Sequence, residues 1–144
     1  MTASLKKTYI TALVPVVLII VIMGILEKGF SISLIPVIRV PVYFSPMIFV
    51  AAALTALAIP LLLRTLFARK AALENKVNPA SFFRFQKQLV ISAMLTPYLG
   101  IMALVLEIQK FYISATLLMA LYAVYYYYPS QRRIDFDKRI FRIR

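Results

Sequence analysis

The chain has 144 residues, 62% of them hydrophobic, with a mean hydropathy of +0.86 and a formal net charge of +12. An ordinary soluble domain is roughly 45–50% apolar, and a soluble core of this length leaves about a third of the unfolded chain's surface in water, so lipid must be part of this chain's solvent. With no Cys and no His, disulfides, thiolate and imidazole metal sites, His-ligated haem and an imidazole general base are excluded, and no cofactor is expected.

Four apolar stretches stand out, at 9–26, 46–63, 89–106 and 111–128. Each rises roughly 27 Å as a helix, enough to cross a hydrocarbon core. Lys6 and Lys7 ahead of the first resemble the basic start of a signal peptide. The apolar run is longer than a signal core and no A-x-A-like site follows, so it reads as a retained helix. The loop 27–45, EKGFSISLIPVIRVPVYFS, is apolar and punctuated by Pro36 and Pro41. It is expected to run extended along the membrane surface or to dip toward the bundle.

After the second span, loop 64–88 starts as a continuation of the helix through about Leu73. A turn at Asn78-Pro79 and an N-cap at Ser81 are expected to begin the third helix. Only a few residues around Glu107 and Lys110 separate spans three and four, which requires an antiparallel hairpin. The tail 129–144, PSQRRIDFDKRIFRIR, read as a helix from a Ser130 cap, places Phe136, Ile140 and Ile143 on one apolar stripe flanked by cations. That is the pattern of an interfacial helix on an anionic leaflet, or of an arm that docks on a partner.

Every formal charge lies outside the four spans. Of 17 Lys and Arg, 14 fall in the N-terminus, the loop 64–88 and the tail. This is the positive-inside alternation, and it predicts an even number of spans with both termini cytoplasmic. The expected fold is therefore an all-α integral membrane domain over 1–144, with four transmembrane helices in two antiparallel hairpins and a short amphipathic C-terminal interfacial helix. An ungapped overlay of 10–33 on 91–114 gives seven identities in 24 positions. It reads either as a parallel repeat of the hairpin or as chance matching among Ile, Leu, Val and Ala.

Chemistry-bearing residues are few. Glu107 is the carboxylate nearest the bilayer interior, either an ion-coupling group or a solvated helix-end acid beside Lys110. Thr96, Pro97, Tyr98 and Gly100 make the most polar mid-span segment. Thr96 and Tyr98 are candidate substrate contacts, or else satisfy backbone freed by the proline. Ala52 and Ala56 have small-xxx-small spacing, which suits close helix packing. The crowd from Tyr122 to Tyr128 fits an aromatic belt. Arg64 is expected to snorkel to the interface occupied by the tail. There Arg132, Arg133, Arg139, Arg142, Phe136 and Ile140 would meet anionic lipid or a partner. Nucleic acid is not needed to account for the charge.

Three functions fit: a non-catalytic subunit or scaffold of a membrane complex, a small oligomeric transporter or channel with a path near Thr96–Gly100 and Glu107, and a lipid-modifying enzyme. The last wants acids, a His or a metal near the interface. The only Asp residues, Asp135 and Asp137, sit among Arg neighbours that suggest a structural part. The expectation is the subunit, in a bacterial cytoplasmic membrane, with anionic lipids and other subunits or further copies as partners.

Overall fold

The structure, a computed structural model, describes residues 2–30, 40–73 and 78–140, with the side chains of Thr2 and of 27–30 outside that description. Among the described residues the chain is all-helical, with no strand. The helices are α1 (Thr2–Phe30), α2 (Phe44–Leu73), α3 (Pro79–Val105), α4 (Lys110–Tyr126) and α5 (Gln131–Ile140). Three of them, Ala3–Leu26 within α1, α2 and α3, are long and apolar enough to cross a membrane. α4, over the fourth predicted span, has 17 residues. Residues 31–39 of the loop 27–45, with the repeat partners Ile32 and Ser33, and Arg142 and Ile143 lie outside the described residues.

Proline chemistry shapes α2. Within it, Leu54–Ala58 forms a π-helical turn, closed by the Ile59 N–H on the Leu54 carbonyl. Pro60 has no N–H to give the Ala56 carbonyl, and its ring would crowd that oxygen in an α-helix. Widening the turn by one residue removes the collision. Pro15 and Pro97 lie inside helices without such a turn.

α3 starts differently from the sequence expectation. Its N-cap is Asn78, whose Oδ1 accepts from Ala80 N at 2.9 Å, with Pro79 in the first turn. Ser81 is already inside the helix. Pro is favoured at the first helical position because its missing N–H has no intrahelical acceptor there, and this outweighs the serine.

The packing centre is α3, which α1, α2 and α4 all touch. Small residues allow the approach. Ala52, Ala56, Ala93, Ala103 and Ala123 are fully buried, and a Cβ placed on Gly100 would stand 3.5 Å from Leu117 Cδ2 and 3.6 Å from Ala120 Cβ. In lipid, helices gain little from hydrophobic burial, so such close packing must supply the contact energy. A second cluster at the start of α2 joins Ile48 to Ala103 and Ile108, beside the turn between α3 and α4. Ser45 Oγ accepts from Gln109 N there at 3.4 Å.

At the other, basic end the core is aromatic. Phe67 stacks on Phe85 at 4.3 Å, and Phe82 packs 6.2 Å from Phe67. Leu5, Leu89, Tyr127 and Ile134 belong to the same buried cluster.

The expected first hairpin is not packed as one. α1 lies along α3, through Tyr9, Val90 and Met94, rather than along α2. The four-residue turn 106–109 forces α3 and α4 together, whereas the long connection after α1 leaves it free to cross to α3. The two halves consequently do not pack alike, as a repeat of the hairpin would require. Among its described side chains, α1 buries only Leu5, Tyr9 and Val16 and exposes apolar groups on all sides beyond them. Two tyrosines tie it down. Tyr98 donates to the Ala12 carbonyl at 2.7 Å, and Tyr9 donates to the Val124 carbonyl at 2.8 Å. Val124 lies in the last turn of α4, where carbonyls lack helical donors.

Candidate functional site: the basic end and its docked helix

Ser130 caps α5, with its Oγ accepting from Arg133 N at 3.4 Å. The helix then lies against the bundle through Ile134 and Asp137, both buried. Asp137 is the centre of the junction. Its Oδ1 accepts from Arg64 of α2 at 2.6 Å, and its Oδ2 accepts from Gln86 of α3 at 2.7 Å. The carboxylate side chain is 3% exposed and the arginine 31%. One tail acid thus bridges two helices that are long and apolar enough to cross a membrane. Beside it is a cavity of about 20 Å³ bordered by Arg64, Gln86, Tyr127, Arg133 and Asp137. That volume suits about one water molecule and no substrate.

The tyrosines at the end of α4 occupy distinct surroundings. Tyr122 and Tyr126 stack at 5.1 Å, and the Arg133 guanidinium lies 3.9 Å above the Tyr126 ring. Tyr127 is buried under α5, and Tyr128 meets Tyr9 edge-on at 5.5 Å with Lys6 6.0 Å from its ring. Tyr125 points outward and is 87% exposed.

The residues singled out from the sequence separate into groups. Arg64, expected to reach lipid or a partner, spends its terminal nitrogen on Asp137, because a buried carboxylate within reach binds it more strongly than solvent does. Arg133 covers Tyr126, while Arg132, Arg139, Phe136 and Ile140 are exposed. Gln86 and Ile134 complete the junction. Their only sequence signal is helical spacing with Phe82, Leu89 and Asp137.

The mid-span polar residues satisfy one another. Thr96 and Thr55 place their Oγ1 atoms 3.0 Å apart, and Thr55 also reaches the Ala51 and Ala52 carbonyls at 3.0 and 3.1 Å. Thr55 has one hydroxyl proton, and the backbone takes it, so Thr96 is the donor between the pair. Thr55→Val is therefore expected to cost about 1–2 kcal/mol, since it leaves the buried Thr96 hydroxyl unpaired. Thr96→Val leaves Thr55 bonded and should cost about half as much. Equal losses in unfolding measurements on the two variants would overturn that donor assignment. Thr116 Oγ1 is buried without a hydrogen-bond partner among the described residues.

Glu107 is exposed in the turn between α3 and α4, with φ of 42°. This left-handed position after a helix normally takes Gly. A side chain there carries a strain of about 1–2 kcal/mol, so Glu107→Gly is expected to raise the midpoint of thermal unfolding. A lower midpoint would show that the carboxylate makes a contact worth more than the strain. The structure brings Thr96 to Thr55 and Tyr98 to α1, and leaves Glu107 apart from both. The chain matches no family model, and neither the curated proteins nor the solved structures contain a match to it.

Proposed function

We propose that the chain is a small, non-catalytic subunit or scaffold of a larger membrane assembly, in a bacterial cytoplasmic membrane. In this reading α4 is the fourth crossing. Its 17 residues reach roughly 26 Å, and Phe111, Leu118 and Leu121 turn outward as lipid-facing residues would. Both termini then lie on the basic, cytoplasmic side, in keeping with the charge alternation.

The observation that carries the subunit reading is the state of α1. Only 11% of its apolar stretch is buried. A helix held to its own bundle along one short edge offers the rest of its surface to other helices or to lipid. The strongest polar constellation, Arg64–Gln86–Asp137, is spent on holding α5 and encloses space for little more than a water. Anionic lipids of the cytoplasmic leaflet are the second partner, met by the exposed cations of the basic end.

Purification in a mild detergent, followed by mass spectrometry of co-purifying proteins, tests this. A stoichiometric partner is expected. Recovery as a pure homo-oligomer that conducts a solute across liposomes would replace the subunit with a transporter. One observation favours that second reading: the Thr116 hydroxyl, buried without a partner among the described residues, belongs to a helix that touches the π-helical turn of α2, a distortion common at functional sites. A transporter should lose flux on Glu107→Gln.

A further inference from the structure

The roll of α5 about its own axis is fixed by its buried edge, Ile134 and the hydrogen-bonded Asp137, and that roll aims an apolar edge in a definite direction. At about 100° per residue, Phe136 lies about 100°, and Ile140 about 60°, to one side of Asp137. Continuing the same way round, Arg132 and Arg139 follow at about 140° and 160°. Lys138 is about 100° away on the other side. The helix thus has a docked edge, then an apolar edge, then a cationic edge. Phe136 is 61% exposed and Ile140 55%.

We propose that α5 lies in the membrane interface, with Phe136 and Ile140 among the acyl chains of the leaflet and Arg132 and Arg139 on the phosphates of anionic phospholipid. Asp137 is the positioning residue that sets this roll through Arg64 and Gln86. The inference rests on the reading of the bundle as embedded in a membrane, and it names the surface that meets the lipid and the residue that aims it. Charge complementarity selects lipid over a protein partner. The cationic edge borders the apolar one directly, in a chain whose Lys and Arg fall mostly (14 of 17) in the N-terminus, the loop 64–88 and the tail. That ordering of apolar and basic sectors is how an interfacial helix meets an anionic leaflet.

The chain contains no Trp, so a single introduced indole reports its own surroundings. Phe136→Trp, Lys138→Trp and Leu121→Trp are each reconstituted in vesicles of phosphatidylcholine with and without phosphatidylglycerol, using brominated acyl chains as quencher. The indole at position 136 is expected to be quenched at least about twofold more than the one at position 138, and more strongly with phosphatidylglycerol present. Adding Arg64→Met should erase the difference between positions 136 and 138, and it should leave the indole at position 121 unchanged. No quenching at 136 beside strong quenching at 121 would overturn the proposal while leaving the embedded bundle intact. A blue-shifted but unquenched indole at 136 would assign the edge to protein instead. Equal quenching without phosphatidylglycerol would remove the anionic lipid from the proposal. No quenching at 121 would instead defeat the membrane reading of α4.

Discussion

Arg64→Met is expected to destabilise the docked tail by about 3 kcal/mol, because it leaves Asp137 buried with Gln86 as its one remaining partner among the described residues. Removing one member of a buried ion pair costs about 3–5 kcal/mol, mostly through the charge left behind. The lower end applies here, since Gln86 Nε2 stays 2.7 Å from the carboxylate. The loss has a ceiling. Once it exceeds the free energy that holds α5 on the bundle, the helix lifts off and Asp137 regains water, while the rest of the fold remains. The measurable consequence is local: hydrogen exchange across 131–140 accelerates, and trypsin cuts at Arg132 and Arg133, with the spans still protected.

Asp137→Asn should be milder, at about 1 kcal/mol. Arg64 is 31% exposed and, when freed, can turn to water or phosphate. The double variant Arg64→Met with Asp137→Leu removes both charges and should recover most of the stability, as apolar replacements of buried pairs often do. An equal loss for Arg64→Met and Asp137→Asn would refute the asymmetry, and with it the view that burial of the carboxylate dominates.

This junction shows what the sequence could and could not reveal. The tail's helix and its Ser130 cap follow from local pattern, because capping and periodicity involve residues a few positions apart. The rotation of that helix does not. Spacing groups Phe136 with Ile140 and Ile134 with Asp137, but says nothing of which pair meets the bundle. Asp137 among its Arg neighbours suggests a structural part, yet its partner is Arg64, 73 residues away. Thr96 beside a mid-span proline invites a ligand, and its acceptor is Thr55 of another helix, 41 residues away. Length and hydropathy identify crossing helices because the bilayer imposes a thickness. Adjacency is harder. Neighbouring helices pair by default, which holds for α3 and α4 across a four-residue turn and fails for α1, whose long connection imposes no partner.

Phe82→Ala is expected to cost about 3–5 kcal/mol, the usual loss for a buried phenylalanine when both a transfer and a cavity term apply. Both apply here because of where Phe82 lies. It is fully buried, against Phe67 and Phe85, seven residues before the apolar stretch that begins at 89 and so roughly 10 Å toward the basic end. At that level the unfolded alternative is water, and burial is driven by the hydrophobic effect. Met94, also buried, lies inside the apolar stretch of α3, where the alternative is lipid. Its truncation to Ala forfeits packing but little transfer energy, so about half the loss is expected. Leu121, 67% exposed on α4, should change stability by under about 0.5 kcal/mol when truncated. Unfolding in mixed micelles, titrated with a denaturing detergent, ranks the three variants. The order Phe82, Met94, Leu121 places the aromatic cluster on the watery side of the membrane boundary. A Phe82→Ala loss no greater than that of Met94→Ala would put the cluster inside the hydrocarbon. It would also move the boundary toward Arg64 and Asp137, leaving their ion pair in lipid, where the Arg64→Met loss should exceed about 3 kcal/mol.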